Sequence, residues 1–220
     1  MAVSSIELLN VTKWYPSKLG RRYVLNNVSL RLPKGRDIAI MGANGAGKST
    51  LLRMLGRTDF PNRGTINNPF KTSWPLGLSG GTQGSMSGRE NTQFVCRIYG
   101  VKRSEVIEAF VQEFSGIGDN FELPVKSYSS GMRSKFSFAL SMAFDFEVYL
   151  IDEVLAVGDQ SFQRKCREAL EEKRELANIL LVAHSAKKMK QHCDYGLVIH
   201  QGKISTYEDI DEAIHIYKRL

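Results

Sequence analysis

The chain has 220 residues, a formal net charge of +7, and is 42% hydrophobic and 24% charged. That length supports one substantial core with room for a subdomain, and the composition is that of an ordinary globular protein. No uncharged apolar stretch approaches the roughly 20 residues that cross a bilayer, and no charged-then-apolar leader opens the chain, so neither a spanning helix nor a secretory signal is expected. Cys96, Cys166 and Cys193 are widely separated and odd in number, which suits a reducing compartment and fits neither disulfide nor zinc spacing. The basic excess could serve nucleic acid or an anionic membrane face. Its pairs, Arg21-Arg22, Lys102-Arg103, Arg164-Lys165 and Lys187-Lys188, are scattered; they read as solvated surface, and no nucleic-acid partner is expected.

The first third reads as strands. Ile6, Leu8 and Val11 roughly alternate with polar neighbours, and Val28, Leu30 and Leu32 alternate strictly before a Pro33-Lys34-Gly35 turn. Asp37 to Met41 is a short buried strand. It feeds Gly42-Ala43-Asn44-Gly45-Ala46-Gly47-Lys48-Ser49, which fills the template G-x-x-x-x-G-K-[ST] without a mismatch, and Thr50 to Leu55 continues as a helix. Strand, loop and helix in that order are what phosphate binding needs. Glycines expose successive N–H groups to phosphate oxygens, and the helix aims its positive end at the same anion. Lys48 then reaches the β/γ-phosphates, and the Ser49 hydroxyl is placed to ligate Mg²⁺. The bland alternative, a Gly-rich turn with a solvated lysine, does not explain the flanks.

Residues 86–144 read as a mostly helical insertion. Ser104 is a plausible cap for a helix whose Ile107, Phe110, Val111 and Phe114 share one face. Tyr128-Ser129-Ser130-Gly131-Met132 enters an apolar run, Phe136 to Phe144, that fits a buried helix. Two apolar strands follow, Val148 to Ile151 and Ile179 to Val182, as in a parallel sheet covered on both faces. Between them Phe162 to Ala177 is a charge-rich helix. A hairpin over Leu197 to Ile204 precedes a last helix with Glu208, Asp209, Asp211 and Glu212 at its start and Lys218-Arg219 at its end.

The strand ending in Asp152-Glu153 needs a cation, because buried carboxylates are expensive unpaired. Mg²⁺ on a bound nucleotide would supply it, reached by Asp152 directly or through water. Glu153, one residue further, is placed to polarise the water that attacks the γ-phosphate. Ser129 and the N–H groups around Gly131 lie where a helix start can hold an anion; on composition alone they are only a capped helix.

The ordered set of phosphate loop, helical insert, signature before a helix, Asp-Glu strand and histidine after the next strand resembles an ABC-transporter ATPase subunit across essentially the whole chain. Ser73 to Gly77, Gln83 to Asn91, Tyr128 to Ser134 and Leu150 to Asp159 are similar to the subgroup that exports capsular polysaccharide across the bacterial inner membrane. The resemblance implies an α/β fold: a P-loop NTPase of ABC type over 1–220, with a mainly parallel core sheet, an N-terminal antiparallel β subdomain and the helical insertion. It implies ATP and Mg²⁺ as cofactors, with Gly42 to Thr50 as the nucleotide loop. It also implies roles by position. Tyr15 stacks on adenine, with Trp14 as its competitor. Gln83 senses Mg²⁺ and touches the permease. Ser129 and Gly131 meet the nucleotide of a second copy. Asp159 links the two active sites, and His184 contacts the γ-phosphate and helps Glu153 hold the water. His192, His200 and His215 lack such context and read as surface. The expected assembly is a homodimer formed on ATP binding, seated on an integral membrane permease at the cytoplasmic face of the inner membrane. The permease handles a lipid-linked polysaccharide.

Two departures stand out. The usual signature Leu-Ser-Gly-Gly-Gln is here Tyr128-Ser129-Ser130-Gly131-Met132, which leaves the glutamine's role unassigned. Leu78-Ser79-Gly80-Gly81-Thr82-Gln83 is closer by letters, yet it precedes the insert and no apolar helix follows it; Gln83 is read instead as the end of the switch loop, in a Gly-rich run of open register. Other functions remain in view: export of O-antigen or teichoic acid, or a regulatory ATPase at a membrane that transports nothing. A soluble ABC ATPase acting on ribosomes or DNA would need a second domain or a long coiled-coil insert. The absence of a long C-terminal extension mildly favours capsule export.

Overall fold

The computed structural model describes residues 5–18, 20–76, 82–152, 158–183 and 185–220. In chain order the elements begin with β1 (Ser5–Ser17), β2 (Gly20–Pro33), β3 (Ile38–Gly42), α1 (Lys48–Leu55) and β4 (Arg63–Asn67). Three helices follow, α2 (Gly88–Ile98), α3 (Ser104–Ser115) and α4 (Ser130–Met142), with two 3-10 turns between the last two. The rest are β5 (Val148–Asp152), α5 (Gln160–Arg174), β6 (Asn178–Val182), α6 (Ala186–His192), β7 (Tyr195–His200), β8 (Lys203–Tyr207) and α7 (Ile210–Tyr217). They fall into two compact units, one of Met1–Pro75, Phe146–Glu153 and Leu176–Leu220, the other of Leu76–Asp145 and Val154–Glu175.

The first unit holds both sheets. Strands β2-β1-β4 form an antiparallel sheet, and β5-β6-β3-β7-β8 form a sheet that is parallel except for its final pair. Every residue of β3 and β5 is buried, which is why these strands read as continuous apolar runs. Alternation along β1 breaks where a register shift between Leu8 and Val11 coincides with Asn10 at φ 51°. The extra residue puts even-numbered Leu8 and odd-numbered Val11 on the same buried face. The expected hairpin is β7–β8, closed between His200 and Lys203 by Gln201-Gly202, both at positive φ, as a two-residue primed turn requires. Helix α7 starts as its acidic first turn suggested, with the Asp209 carboxylate accepting from the N–H groups of Asp211 and Glu212.

The second unit is helical. Phe114, Phe138 and Phe162 pack within 6.4 Å of one another, and Phe136 packs on Phe121 and Tyr128. The apolar run expected to be buried lies in α4, where Phe136 and Phe138 to Met142 are covered. Helix α5 runs from Gln160, not Phe162, because Asp159 caps it through the Phe162 N–H. Ser104 is not the cap of α3; that position is Arg103. Glu108, one turn on, is buried. The buried face of α3 is correspondingly rotated to Glu108, Val111, Phe114 and Ser115, while Phe110 is exposed.

A buried carboxylate explains the rotation. Burial alone would raise the Glu108 pKa, but bonds from Ser104, Gln93 and Arg89 outweigh it and hold the group below its usual value. Arg89 also grips Glu122 at 2.7 to 3.1 Å, so one guanidinium ties α2 to α3 and to the turn beyond it. Arg89→Ala should therefore strand the Glu108 charge. Because Arg89 is 39% exposed, the expected loss is about 2–3 kcal/mol, at or below the low end of the range for a fully buried pair. Urea unfolding checks this; an unchanged midpoint would remove the hub from the account.

Candidate functional site

Parallel pairing sets three strand ends along one edge of the central sheet. Asp152 pairs with Val182, and Val182 with Ile40, two residues before β3 ends at Gly42. The loop leaving that end turns through an Ala46 N–H to Ala43 carbonyl bond of 3.1 Å. Gly47 then caps α1 at φ 111°. A Cβ there would lie 2.3 Å from Val24 Cγ1, so the position excludes other residues on both backbone and packing grounds. Helix α1 has no acidic residue in its first turn, which leaves its N–H groups and positive end for an anion. The ammonium of Lys48, 8% exposed, donates to the carbonyls of Gly42 (2.7 Å) and Ala43 (3.1 Å).

Tyr15, Asn44, Gly45, Gly47, Lys48, Ser49, Thr50 and Asp152 line one open cavity of about 560 Å³. Gly42, Ala43 and Ala46 complete the loop beside it. Asp152 is buried at the end of β5, and with the Ser49 hydroxyl it presents oxygen donors to the same space. That donor set suits a hard divalent cation.

Tyr15 and Trp14 part company by strand alternation. The Tyr15 hydroxyl donates to Asp59 Oδ2 at 2.6 Å and accepts from Arg53 at 3.3 Å, which leaves its ring at the cavity. Trp14 lines a different groove with Tyr23 and carries the Arg21 guanidinium over its ring at 4.4 Å. Sequence reading missed two members of this neighbourhood. Asp59 belongs to no motif, yet it holds Tyr15 and also accepts from Lys13 Nζ at 2.5 Å. Arg22, read as scattered surface charge, lines the cavity. Its parity with Val24, two residues on, was the available signal.

In the second unit, Gln83 is held by its backbone. Its N–H donates to Asn91 Oδ1 at 2.6 Å, and its carbonyl accepts from Asn91 Nδ2 at 3.0 Å. Asn91, fully buried, also donates to the carbonyls of Met86 and Ser87. Ser129 caps α4 through the Met132 N–H at 3.2 Å, and Ser129, Ser130 and Gly131 are exposed. The departure from leucine at position 128 has a packing reason. Tyr128 is buried on Phe136, and a Cβ at Gly88 would lie 2.6 Å from its hydroxyl. Asp159 caps α5 and pairs with Lys135 at 3.0 Å. Its bonds to Ser161, Phe162 and Lys135 hold its carboxyl well below the usual range. Glu153 and His184 lie outside the described residues, as do Leu78 to Gly81 of the alternative signature.

Burial would raise the Asp59 pKa, but Lys13, Tyr15 and the Phe60 N–H outweigh it and lower it from 3.8. A depressed carboxylate stabilises the fold fully above its unfolded pKa and loses that contribution as pH falls through the folded value. Asp59→Asn should thus cost roughly 2 kcal/mol from pH 7 down to about 4, with the gap from wild type closing below that. Thermal unfolding across the range measures it; a gap that persists at the acid end would contradict the ion pair.

The ABC transporter family pattern matches residues 25–156. The chain is 48% identical over 217 residues to the polysialic acid transport ATP-binding protein KpsT of Escherichia coli, covering 97% of this chain and 99% of that one. It is 46% identical over 215 residues to the capsule polysaccharide export ATP-binding protein CtrD of Neisseria meningitidis serogroup B, covering 98% and 99%. In fold it is similar to the dimeric, post-hydrolysis ATP-binding cassette MJ0796 bound to ADP and Pi, with a TM-score of 0.72 at 19% identity over 92% and 97% of the two chains. With the family pattern spanning more than half its length and relatives matched nearly end to end, the chain belongs to the ATP-binding subunits of the ABC transporter family.

Proposed function

We propose that this chain is the ATP-hydrolysing subunit of an exporter that drives capsular polysaccharide across the bacterial inner membrane. The observation that carries the reading is the single cavity shared by Tyr15, Lys48, Ser49 and Asp152 in a chain whose near full-length relatives are named for polysialic acid transport and capsule polysaccharide export. In it the N–H groups of Asn44 to Ser49 and the Lys48 ammonium grip the β- and γ-phosphates, and Tyr15 stacks on adenine. Ser49 and Asp152 are the residues that would hold Mg²⁺, which neutralises charge on the phosphates when bound. Glu153 orients and polarises the attacking water, and His184 steadies it. Catalysis is then positioning and charge neutralisation rather than covalent chemistry.

The site is completed by a second copy, which supplies Ser129 and Gly131 to the γ-phosphate, with Asp159 linking the two sites. The exposed start of α4 supports this. A Cβ at Gly131 would meet nothing nearer than Ser129 Oγ at 4.0 Å, which leaves room for a close anion. The chain works from the cytoplasmic face against a separate permease; no helix among the described residues is long and apolar enough to cross a membrane. The permease-facing surface is Gln83 to Asn91 together with α2 and α3. Phe94 and Ile98 lie one turn apart on α2, Val106 and Phe110 one turn apart on α3, and all four are exposed. Apolar surface of that kind on a soluble face marks a docking site.

Lys48→Ala should abolish ATP binding. Glu153→Gln should keep binding, lose turnover by about 100-fold or more, and shift the purified protein to a dimer in ATP. Full ATPase activity in Glu153→Gln would refute the assignment. The docking surface has a separate test. Ile98→Glu with Val106→Glu should leave the ATPase activity of the isolated subunit intact while abolishing co-purification with the membrane partner and surface capsule; normal capsule in that strain would exclude this surface.

A further inference from the structure

The guanidinium of Arg22 lies over the phosphate loop. In register on the β1–β2 ladder, Arg22 is the cross-strand partner of Tyr15, and both line the 560 Å³ cavity. Two residues along the same face of β2 sit over two glycines of the loop. A Cβ on Gly47 would meet Val24, and a Cβ on Gly45 (φ +78°) would lie 3.0 Å from Arg22 Nη2. Valine thus closes the C-terminal end of the loop with an apolar lid, while arginine covers its middle. Its sequence neighbour Arg21 points the other way, onto the Trp14 ring.

Arg22 is exposed, and among the described residues it makes no hydrogen bond or ion pair. Most of its charged neighbours are engaged: Lys13 with Asp59, Arg53 with Tyr15 and Thr50, Lys48 with the loop carbonyls. An uncommitted, planar five-donor cation packed over Gly45 of a loop built to hold phosphate is suited to phosphate oxygens, which guanidinium matches in two-point geometry.

We propose that Arg22 is a further nucleotide-binding residue, contacting the polyphosphate of bound nucleotide from the β2 side, opposite Lys48. The proposal rests on the nucleotide site described above. It assigns the antiparallel sheet two contributions to the same ligand, Tyr15 to the base and Arg22 to the phosphates, from paired positions on adjacent strands.

Equilibrium binding of ATP, ADP and AMP to the full chain tests it, using wild type, Arg22→Gln, Arg22→Lys, Arg21→Gln and Lys48→Ala. Arg22→Gln should weaken ATP and ADP by about tenfold and leave AMP within about twofold, with the slope of log Kd against log salt shallower than wild type. Arg22→Lys should recover part of the loss, and Arg21→Gln should bind as wild type does. Unfolding of the nucleotide-free variants at the wild-type midpoint confirms that the change is in binding, since the side chain is exposed. Wild-type affinity in Arg22→Gln, an equal loss in Arg21→Gln, or an equal loss for AMP would overturn the proposal while leaving the site reading standing. Failure of wild type itself to bind ATP would overturn both.

Discussion

Parallel strand pairing is the constraint on which the rest of the first unit depends. A parallel strand buried on both faces can expose its chemistry only at its ends. Here β3, β5 and β6 carry apolar side chains until the last residue and then release Gly42, Asp152 and Val182 onto one edge. The loop beyond Gly42 and the carboxylate of Asp152 meet there because the register leaves them nowhere else to go. A slip of one residue along the β5–β6 pairing would turn Asp152 to the opposite face of the sheet and away from the cavity it lines with Ser49. The arrangement of that edge is thus an outcome of core packing.

The second unit is governed by polar groups at helix starts. Ser129, Asp159 and Ser87 each cap a helix through a side-chain oxygen and a backbone N–H. Two of the three are residues to which a role with a second copy is proposed. The employments are compatible to different degrees. A serine hydroxyl that accepts from Met132 N–H still has a proton to donate to a phosphate oxygen. The Asp159 carboxylate, already accepting from Ser161, Phe162 and Lys135, must reach any further donor with what capacity it has left. Lys135 is therefore positioned to govern how available Asp159 is.

Fold class, the strand–loop–helix order around the phosphate loop and the burial of the apolar run in α4 were legible from sequence, because hydrophobic periodicity and the glycine template each encode one physical requirement. The legible part of the site was its backbone: the loop from Gly42 to Ser49, and Asp152 at the end of an apolar strand. Side-chain employment was less legible. Ser104 looked like a cap because capping preference is local, yet α3 takes Arg103 at that position and turns a buried Glu108 inward. Asn91 stood inside a recognisable stretch without a role, since a side chain that bonds loop carbonyls leaves no periodic trace. Asp59 follows α1 with no pattern around it and gained its importance only when β1 brought Tyr15 to it.

The β1–β2 hairpin shows how two adjacent residues of one type acquire different work. Arg21 and Arg22 are indistinguishable by composition, as are Trp14 and Tyr15 by aromatic character. Alternation sends Trp14 and Arg21 to one face, where they stack on each other, and Tyr15 and Arg22 to the other, where both line the phosphate cavity. Register shifts between Leu8 and Val11, between Val11 and Lys13 and between Lys13 and Trp14 set that parity, so together they decide which aromatic and which cation face the cavity. Which side chains the antiparallel sheet turns to the cavity is consequently set by backbone registration ahead of the phosphate loop.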